Sequence, residues 1–153
     1  MEFGVYVPQV VSDYQQLSRV ARTAEDTGFS SMWVYDHLYT PGAPTHPALE
    51  AWTTMTALLA NTTTLRVGAL VLCNTFRHPA LLARMATTLD VISGGRLEFG
   101  LGSGSYEQEH HEAGIAWESG RVRSARLGEA LEIITRMFTQ ERTTYEGAHY
   151  TVR

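Results

Sequence analysis

Lysine is absent from this 153-residue sequence, and cysteine and long apolar runs are scarce. All twelve basic residues are arginines, so no lysine of this chain can form a Schiff base with a carbonyl substrate. The single cysteine, Cys73, excludes an internal disulfide and is typical of a reducing compartment. No apolar run approaches the roughly 20 residues of a membrane-spanning helix, and residues 1–5 lack the features of a signal peptide. These absences predict a cytoplasmic protein without a membrane partner.

Charge and composition narrow the class of protein further. The net charge of −4 and the lack of a basic run argue against a nucleic-acid partner. Hydrophobic residues make up 44% and charged residues 18% of the sequence, which are values of a globular chain. A chain of this length can form one domain with a sizeable core. We therefore expect a single domain over residues 1–153.

Strand-like and helix-like segments alternate along the chain. Short β-branched and apolar runs predict strands, and apolar residues at helical spacing follow each of them. This βα order, repeated four times, predicts an α/β fold with parallel strands and right-handed crossovers. Glu146-Gly147 lies at the centre of a final segment that predicts a C-terminal β-hairpin. The predicted strands are residues 3–7, 29–35, 65–72 and 96–101, and the hairpin covers residues 143–152.

The signals at the ends of these elements give further expectations. Ser12 and Gln15 have the spacing of a capping box, which predicts the start of the first helix. Pro47 suits the first turn of the second helix. Residues 41–47 and residues 106–120 are polar or rich in proline and glycine, so we expect both segments to be loops.

Two architectures fit four βα units. One is a flavodoxin-like open sheet, and the other is the N-terminal (β/α)4 portion of a TIM (β/α)8 barrel. A complete barrel needs about 250 residues, so this chain would supply only part of one. An unpaired apolar strand edge is a surface that natural proteins avoid exposing. From the residues alone, both architectures stay open.

Candidate functional residues follow the predicted strands, at the edge where parallel sheets bind ligands. Asp36 and His37 follow the second strand, Cys73 and Asn74 the third, and residues 102–105 the fourth. A histidine that changes charge near neutral pH can donate or accept a proton. The alternative, that Asp36 caps a loop and His37 is only a polar rim residue, fits the pattern equally well.

The glycine run Gly100-x-Gly102-x-Gly104 leaves the backbone bare where the fourth strand ends. Bare backbone lets a flat or anionic ligand approach closely. The spacing is not that of the dinucleotide-binding fingerprint, and Ser103 is not in a nucleophile elbow. A tight turn without a ligand is the alternative interpretation.

Two other groups of residues could carry chemistry. The first is a cluster of glutamate and histidine residues at positions 107–112. Its spacing matches no recognised zinc site, so we expect no metal and a solvated loop or helix start. Cys73 has no partner base that the sequence identifies, so a small polar wall residue is the favoured interpretation. The cluster comprises Glu107, Glu109, His110, His111 and Glu112.

Taken together, these motifs resemble the N-terminal half of the bacterial luciferase-like monooxygenase superfamily, especially its deazaflavin (coenzyme F420)-dependent oxidoreductases. The resemblance covers essentially the whole chain in the same order. The segments that carry it are residues 33–38, 65–79, 89–96, 99–104 and 109–115, together with Arg123-x-x-Arg126 and residues 129–131.

The resemblance implies a TIM barrel whose carboxyl face binds F420, with FMN as the alternative cofactor. Because later strands close the barrel in that family, it also implies either a truncated domain that lacks its C-terminal half or a half-barrel that pairs with itself as a homodimer or with another chain. Asp36 and His37 match positions that line the deazaflavin ring, with His37 as the acid or base. Leu70-Val71 matches a non-prolyl cis peptide that backs the ring. Ser105 stands where a sugar-phosphate dehydrogenase branch carries a catalytic glutamate, which argues against that substrate class. The implied cofactor contacts are Asp36, His37, Leu70, Val71, Cys73, Asn74, Gly102, Ser103, Gly104 and Ser105.

The resemblance therefore predicts hydride transfer between F420 and a small organic substrate. The first alternative is an FMN-dependent monooxygenase that receives reduced flavin from a separate reductase. An alternative of another class is a non-catalytic half-barrel that self-associates or binds flavin weakly.

Overall fold

The computed structural model describes residues 1–10 and 13–153. The chain divides into two compact units, residues 1–72 with 89–101 and residues 73–88 with 102–153. In chain order, the elements are β1 (Gly4–Tyr6), α1 (Tyr14–Asp26), β2 (Ser31–Val34), β3 (Tyr39–Thr40), β4 (Ala43–Pro47), α2 (Ala51–Asn61), β5 (Arg66–Ala69), β6 (Leu72–Cys73), α3 (Pro79–Ser93), β7 (Leu97–Glu98), β8 (Leu101–Gly102), α4 (Glu107–Glu112), α5 (Gly120–Thr139), β9 (Tyr145–Glu146) and β10 (Thr151–Val152).

The first unit contains a four-stranded sheet in the order β1-β2-β5-β7. Every neighbouring pair is parallel, with Met32 of β2 beside Val67 of β5 and Val67 beside Leu97 of β7. The predicted α/β fold with parallel strands is confirmed. Strands that follow one another in the chain are also neighbours in the sheet. This order is that of a barrel, whereas the flavodoxin-like order places the first strand between later ones.

The first two helices begin at side chains that cap them. The carboxylate of Asp13 accepts a hydrogen bond from the Gln15 N–H and caps α1. The predicted cap at Ser12 lies outside the described residues. Glu50 caps α2 in the same way, so Pro47 does not occupy its first turn as predicted. Pro47 instead ends β4 opposite Tyr39 of β3, and an edge strand is where a sheet tolerates proline.

The core of the first unit lies between the sheet and helices α1 and α2. Its side chains are apolar and almost fully buried, because α1 packs against β2 and α2 packs against β5. Arg96 stabilises one edge of this core, because its guanidinium donates hydrogen bonds to the carbonyl oxygens of Leu59 and Leu65 and to the Thr62 hydroxyl. The core residues are Leu17, Ala21, Met32, Val34, Met55, Leu58, Leu59, Leu65, Val67 and Ala69.

A carboxylate from α1 holds the loop before β5. Glu25 accepts hydrogen bonds from the N–H groups of Thr63, Thr64 and Leu65 at 2.8, 2.5 and 2.9 Å. Desolvation acts in the opposite direction, but these bonds prevail and lower the pKa of Glu25 from 4.5 to about 2. The bonds satisfy the three N–H groups that lead into the parallel strand.

The second unit is built around α5 and the C-terminal hairpin. Ala130 and Ile133 of α5 pack with Tyr150 in a small buried cluster. The antiparallel pairing of β9 with β10 confirms the predicted hairpin. Glu129 of α5 accepts hydrogen bonds from the backbone N–H groups of residues 148–150. Desolvation raises the pKa of this carboxyl group, but the hydrogen bonds outweigh it and lower the pKa.

Several predicted elements differ from those observed. Residues 41–47, expected to be a loop, contain β4, which pairs antiparallel with β3. The expected loop at residues 106–120 contains the short helix α4. The expected strand at residues 65–72 is divided into β5 and β6 at Leu70-Val71. Within the described part of the chain, no helix has the length and apolar character that a membrane span requires.

Candidate functional site

Asp36 and His37 lie directly after β2, at the carboxyl edge of the parallel sheet in the first unit. Asp36 is buried, with 4% of its surface exposed, whereas His37 is half-buried. The edge of the Tyr35 ring meets the His37 imidazole with 5.3 Å between ring centroids. His37 therefore combines an oriented ring with access from solvent, which a proton donor or acceptor requires.

A buried glutamine fixes the backbone that carries this pair. The Gln9 amide donates to the Tyr35 carbonyl oxygen at 2.5 Å and accepts from the Tyr35 N–H at 3.0 Å. Gln9 itself is fully buried. These two bonds pair the segment after β1 with the segment after β2, as a strand ladder would do. This role could not be predicted from the sequence, because a lone glutamine after Pro8 has no characteristic spacing.

The Leu70-Val71 peptide bond is cis, as the resemblance implied. It follows β5 in the first unit, and both side chains are unusually exposed for apolar residues, Leu70 at 57% and Val71 at 41%. A Cβ at Gly100 would lie 2.8 Å from the Ala69 carbonyl oxygen and 3.1 Å from Val71 Cγ1. Glycine at position 100 therefore allows the chain to pass closely against this dipeptide.

The remaining predicted contacts lie in the second unit. The Asn74 N–H donates to the Gly102 carbonyl oxygen at 2.9 Å, which holds the segment after β6 beside the end of β8. Gly104 has a φ of +87°, and a Cβ there would lie 3.1 Å from Cys73 Sγ. Ser105 is exposed. Within this unit the structure thus brings Cys73, Asn74 and the glycine-rich segment together.

Asn74 presents a buried acceptor. Its side chain is 1% exposed, and its amide nitrogen donates to the Tyr150 hydroxyl at 3.3 Å. Its Oδ1 atom has no hydrogen-bond partner among the described residues. A buried carbonyl oxygen without a donor is costly, so this atom can accept a hydrogen bond from a bound molecule.

The Tyr150 hydroxyl also accepts from Arg126 Nε at 3.2 Å, and Arg126 pairs with Glu118 at 2.7 Å. Desolvation lowers the pKa of the Arg126 guanidinium, but its bonds to Glu118 and Tyr150 outweigh this effect and raise the pKa. This network satisfies the polar atoms on one side of Asn74.

His110 is the residue of this unit that the sequence interpretation missed. It is fully buried, although its segment was expected to be a solvated loop. Its Nδ1 lies 2.7 Å from the Tyr106 carbonyl oxygen and its Nε2 lies 2.6 Å from Thr75 Oγ1. The Phe76 and Trp117 rings lie against it, with centroids at 5.0 and 4.6 Å. The adjacent histidine, His111, is exposed, as are Glu107 and Glu112 of the same cluster, and it pairs with Glu107 at 3.1 Å.

The burial of Glu109 and His110 also bears on the metal interpretation. The described residues contain no group of three or more side chains placed to hold a metal ion. The absence of a metal site stays a prediction.

Comparison with known proteins agrees with these features. The family model described as luciferase-like monooxygenase matches residues 1–153. An F420-dependent glucose-6-phosphate dehydrogenase of Microbacterium testaceum is 37% identical over 131 residues, covering 85% of this chain and 39% of the relative. A 5,10-methylenetetrahydromethanopterin reductase of Archaeoglobus fulgidus is 31% identical over 148 residues, covering 96% of this chain and 40% of the relative.

Among solved structures, an F420-dependent secondary alcohol dehydrogenase in complex with an F420-acetone adduct superposes with a TM-score of 0.87. It is 26% identical, and the match covers 99% of this chain and 46% of that one. The chain spans about two fifths of the length of the curated relatives it matches. This coverage agrees with the predicted (β/α)4 portion of a (β/α)8 barrel.

Proposed function

This chain belongs to the luciferase-like monooxygenase family. From that premise we propose that it is the part of an F420-dependent oxidoreductase that binds the ring of the cofactor. The reaction is hydride transfer between F420 and a small organic substrate. Support comes from relatives of 31–37% identity that are named for F420-dependent dehydrogenation or for methylenetetrahydromethanopterin reduction.

One observation of the first unit carries the proposal. Leu70 and Val71 expose apolar surface directly after β5, in the same unit as the half-buried His37 after β2. Parallel strands place their carboxyl ends at one edge, where ligands of such folds bind. Exposed apolar side chains beside a polar, titratable group match a ligand that has a flat ring and exchangeable protons. The residues present therefore fit a deazaflavin ring.

Each side chain of this edge has a proposed part. F420, when bound, supplies the hydride chemistry, and the protein binds and orients it and excludes water. His37 donates or accepts a proton through its half-buried imidazole. Asp36, which is buried beside it, orients a polar group, and Leu70 with Val71 forms the apolar backing.

The second unit's candidates stay predictions. Cys73, Asn74 and residues 102–105 were expected to contact the cofactor. The unpartnered Oδ1 of Asn74 supports a ligand contact there, because a donor from a bound molecule would satisfy it.

The substrate class is proposed from one departure. Several matched relatives are named glucose-6-phosphate dehydrogenases. Ser105 stands where the resemblance implies a catalytic glutamate, and a hydroxyl cannot replace a carboxylate as a general acid or base near neutral pH. We therefore propose a small organic substrate other than a sugar phosphate.

The proposal is tested by titrating the purified chain with F420 and, separately, with FMN, following fluorescence. We expect saturable F420 binding that His37→Gln weakens by about tenfold, the effect of losing one hydrogen bond. His46→Gln is the matched control, since His46 is an exposed histidine of the same unit. It should bind F420 as the unaltered chain does.

Other outcomes decide between the alternatives. Tighter binding of FMN than of F420 would favour the FMN-dependent monooxygenase. A folded homodimer that binds neither cofactor would contradict the proposal and favour a non-catalytic half-barrel. Recording the solution mass alongside the titration distinguishes these cases and tests the predicted self-association.

A further inference from the structure

Three side chains of the second unit form a continuous polar chain. Cys73 Sγ lies 2.9 Å from Thr75 Oγ1, and Thr75 Oγ1 lies 2.6 Å from His110 Nε2. The direct distance from Cys73 Sγ to His110 Nε2 is 3.9 Å. The hydroxyl of Thr75 is therefore the short bridge between the thiol and the imidazole.

The partners of His110 determine which atoms carry protons. A carbonyl oxygen only accepts, so the 2.7 Å contact with the Tyr106 carbonyl places a proton on Nδ1. In the neutral ring Nε2 is then an acceptor, and the Thr75 hydroxyl donates to it. Since the one hydroxyl proton of Thr75 is directed at Nε2, the Thr75 oxygen is left as an acceptor in its contact with Cys73, to which the S–H can donate. Both hydrogen bonds of this arrangement donate in the same direction, from the Cys73 sulfur towards Nε2 of His110.

We infer that His110 is a positioning residue that acts on Cys73 through Thr75, as the terminal base of a proton relay. When Cys73 sulfur forms a bond to an electrophile, its proton passes to Thr75 Oγ1 and the Thr75 proton passes to His110 Nε2. One proton leaves sulfur and one arrives at nitrogen, so Thr75 ends as it began. That the relay serves a cofactor contact at Cys73 rests on the proposed function. The proton transfer from Cys73 to His110 does not rest on it.

The surroundings hold the imidazole in the orientation that the relay needs. Phe76 and Trp117 lie against the ring, and Arg123 stacks on Trp117 with its guanidinium carbon 3.6 Å from the ring centroid. Besides Cys73 and Arg123, the nearby titratable groups on α4 are the buried Glu109 and the exposed pair Glu107 and His111. Cys73 is 6% exposed. Burial disfavours a separated thiolate and imidazolium, so the proton should move with bond formation rather than before it.

Alkylation of the thiol by iodoacetamide tests this inference. The chain has one cysteine, so the reaction reports on Cys73 alone. The sulfur–carbon bond forms, iodide leaves, and the thiol proton enters the relay. We expect a rate that is nearly constant from about pH 7 to about pH 8.5, because the local base replaces hydroxide. Thr75→Val should lower the rate at neutral pH by about tenfold or more and restore a rise of about tenfold per pH unit.

Three further variants separate the relay from packing. Thr75→Ser retains the hydroxyl and should restore the flat pH dependence, which a purely structural role of Thr75 would not require. His110→Phe keeps an aromatic ring but removes the base, and should behave as Thr75→Val does. Thr139→Val is the matched control and should alkylate as the unaltered chain does. Among the residues that the structure describes, the Thr139 hydroxyl donates to the Thr135 carbonyl oxygen on α5 alone.

Several results would overturn the inference. One is a rate in the unaltered chain that rises about tenfold per pH unit. Another is an alkylation rate that Thr75→Val leaves unchanged, and a third is a Thr75→Ser variant that behaves as Thr75→Val does. Urea unfolding of each variant establishes that it is folded. F420 titration of the same samples separates this inference from the proposed function, since loss of F420 binding with an intact relay would contradict only the latter.

Discussion

The two candidate regions place a histidine in opposite settings. In the first unit, His37 follows a parallel strand, is half-buried and meets the edge of the Tyr35 ring. In the second unit, His110 lies on a short helix, is fully buried and bonds at both ring nitrogens. The first histidine is partly accessible to solvent, whereas the second is closed to solvent and bonded at both ring nitrogens.

This difference separates two kinds of contribution to a site. A half-buried histidine can exchange a proton with a ligand directly, because solvent and substrate reach it. A fully buried histidine acts through the groups that it orients, here the Thr75 hydroxyl and through it the Cys73 thiol. The same residue type is therefore proposed as an acid or base in one unit and as a positioning residue in the other.

The largest expected effect is a difference in the free energy of unfolding between alanine variants of the two histidines. His110→Ala removes a buried ring from between Phe76 and Trp117 and leaves Thr75 without its acceptor, so we expect a loss of about 3 kcal/mol. His37→Ala alters a half-exposed side chain and should cost less than about 1 kcal/mol. Urea unfolding of both variants measures the difference. Equal losses would show that the two histidines are held alike.

The sequence places the candidates of the first region after a strand, but it did not predict the buried setting of His110 in the second. Strand periodicity placed the end of β2 correctly, and a polar pair directly after a strand is a local signal that identifies Asp36 and His37. The cis peptide at Leu70-Val71 was anticipated by resemblance alone, since nothing in the two side chains requires it. These features depend on neighbours in sequence or on a family pattern, and both can be recognised from the sequence.

The second region depends on contacts between residues that are distant in sequence. Thr75, Phe76 and Trp117 surround His110 only after the chain has folded, so the burial of this ring has no local signal. Clustered glutamate and histidine residues predicted a solvated loop, yet Glu109 and His110 turn inward from α4. Gln9 was missed for the same reason, because its partner is the backbone of Tyr35.

A second prediction concerns how closely the chain packs at the edge of the first region. Gly100→Ala would place a Cβ 2.8 Å from the Ala69 carbonyl oxygen, and backbone cannot move aside as a side chain can. We expect a loss of about 2 kcal/mol and weaker F420 binding, since Val71 would be displaced.

The matched control for Gly100→Ala lies in the second unit. Gly128→Ala lies within α5, where a Cβ would meet nothing within 4 Å. Alanine is the better helix former, so this variant should gain about 0.5–1 kcal/mol. Thermal unfolding measures both variants, and a Gly100→Ala variant as stable as the unaltered chain would contradict the close approach at the cis dipeptide.

The smallest expected effect concerns two carboxylates, each of which holds a loop within its own unit. Glu25 and Glu129 each accept three successive backbone N–H groups, and both have a lowered pKa, that of Glu25 falling to about 2. Because the folded pKa lies below the unfolded one, Glu25 stabilises the fold fully above about pH 4.5. This contribution is lost as the pH falls from about 4.5 towards 2. Solvent screens the half-buried group, so we expect less than about 1 kcal/mol.

Glu25→Gln tests this contribution, because an amide does not titrate and accepts these bonds more weakly. The free energy of unfolding, measured by urea at several pH values, should be lower than in the unaltered chain near pH 7. The two chains should converge as the pH approaches about 2, where the carboxylate becomes protonated. Glu2→Gln serves as the control at an exposed acidic residue near the N-terminus, and should follow the unaltered chain throughout. A difference between Glu25→Gln and the unaltered chain that stayed constant down to low pH would assign the stabilisation to packing rather than to charge.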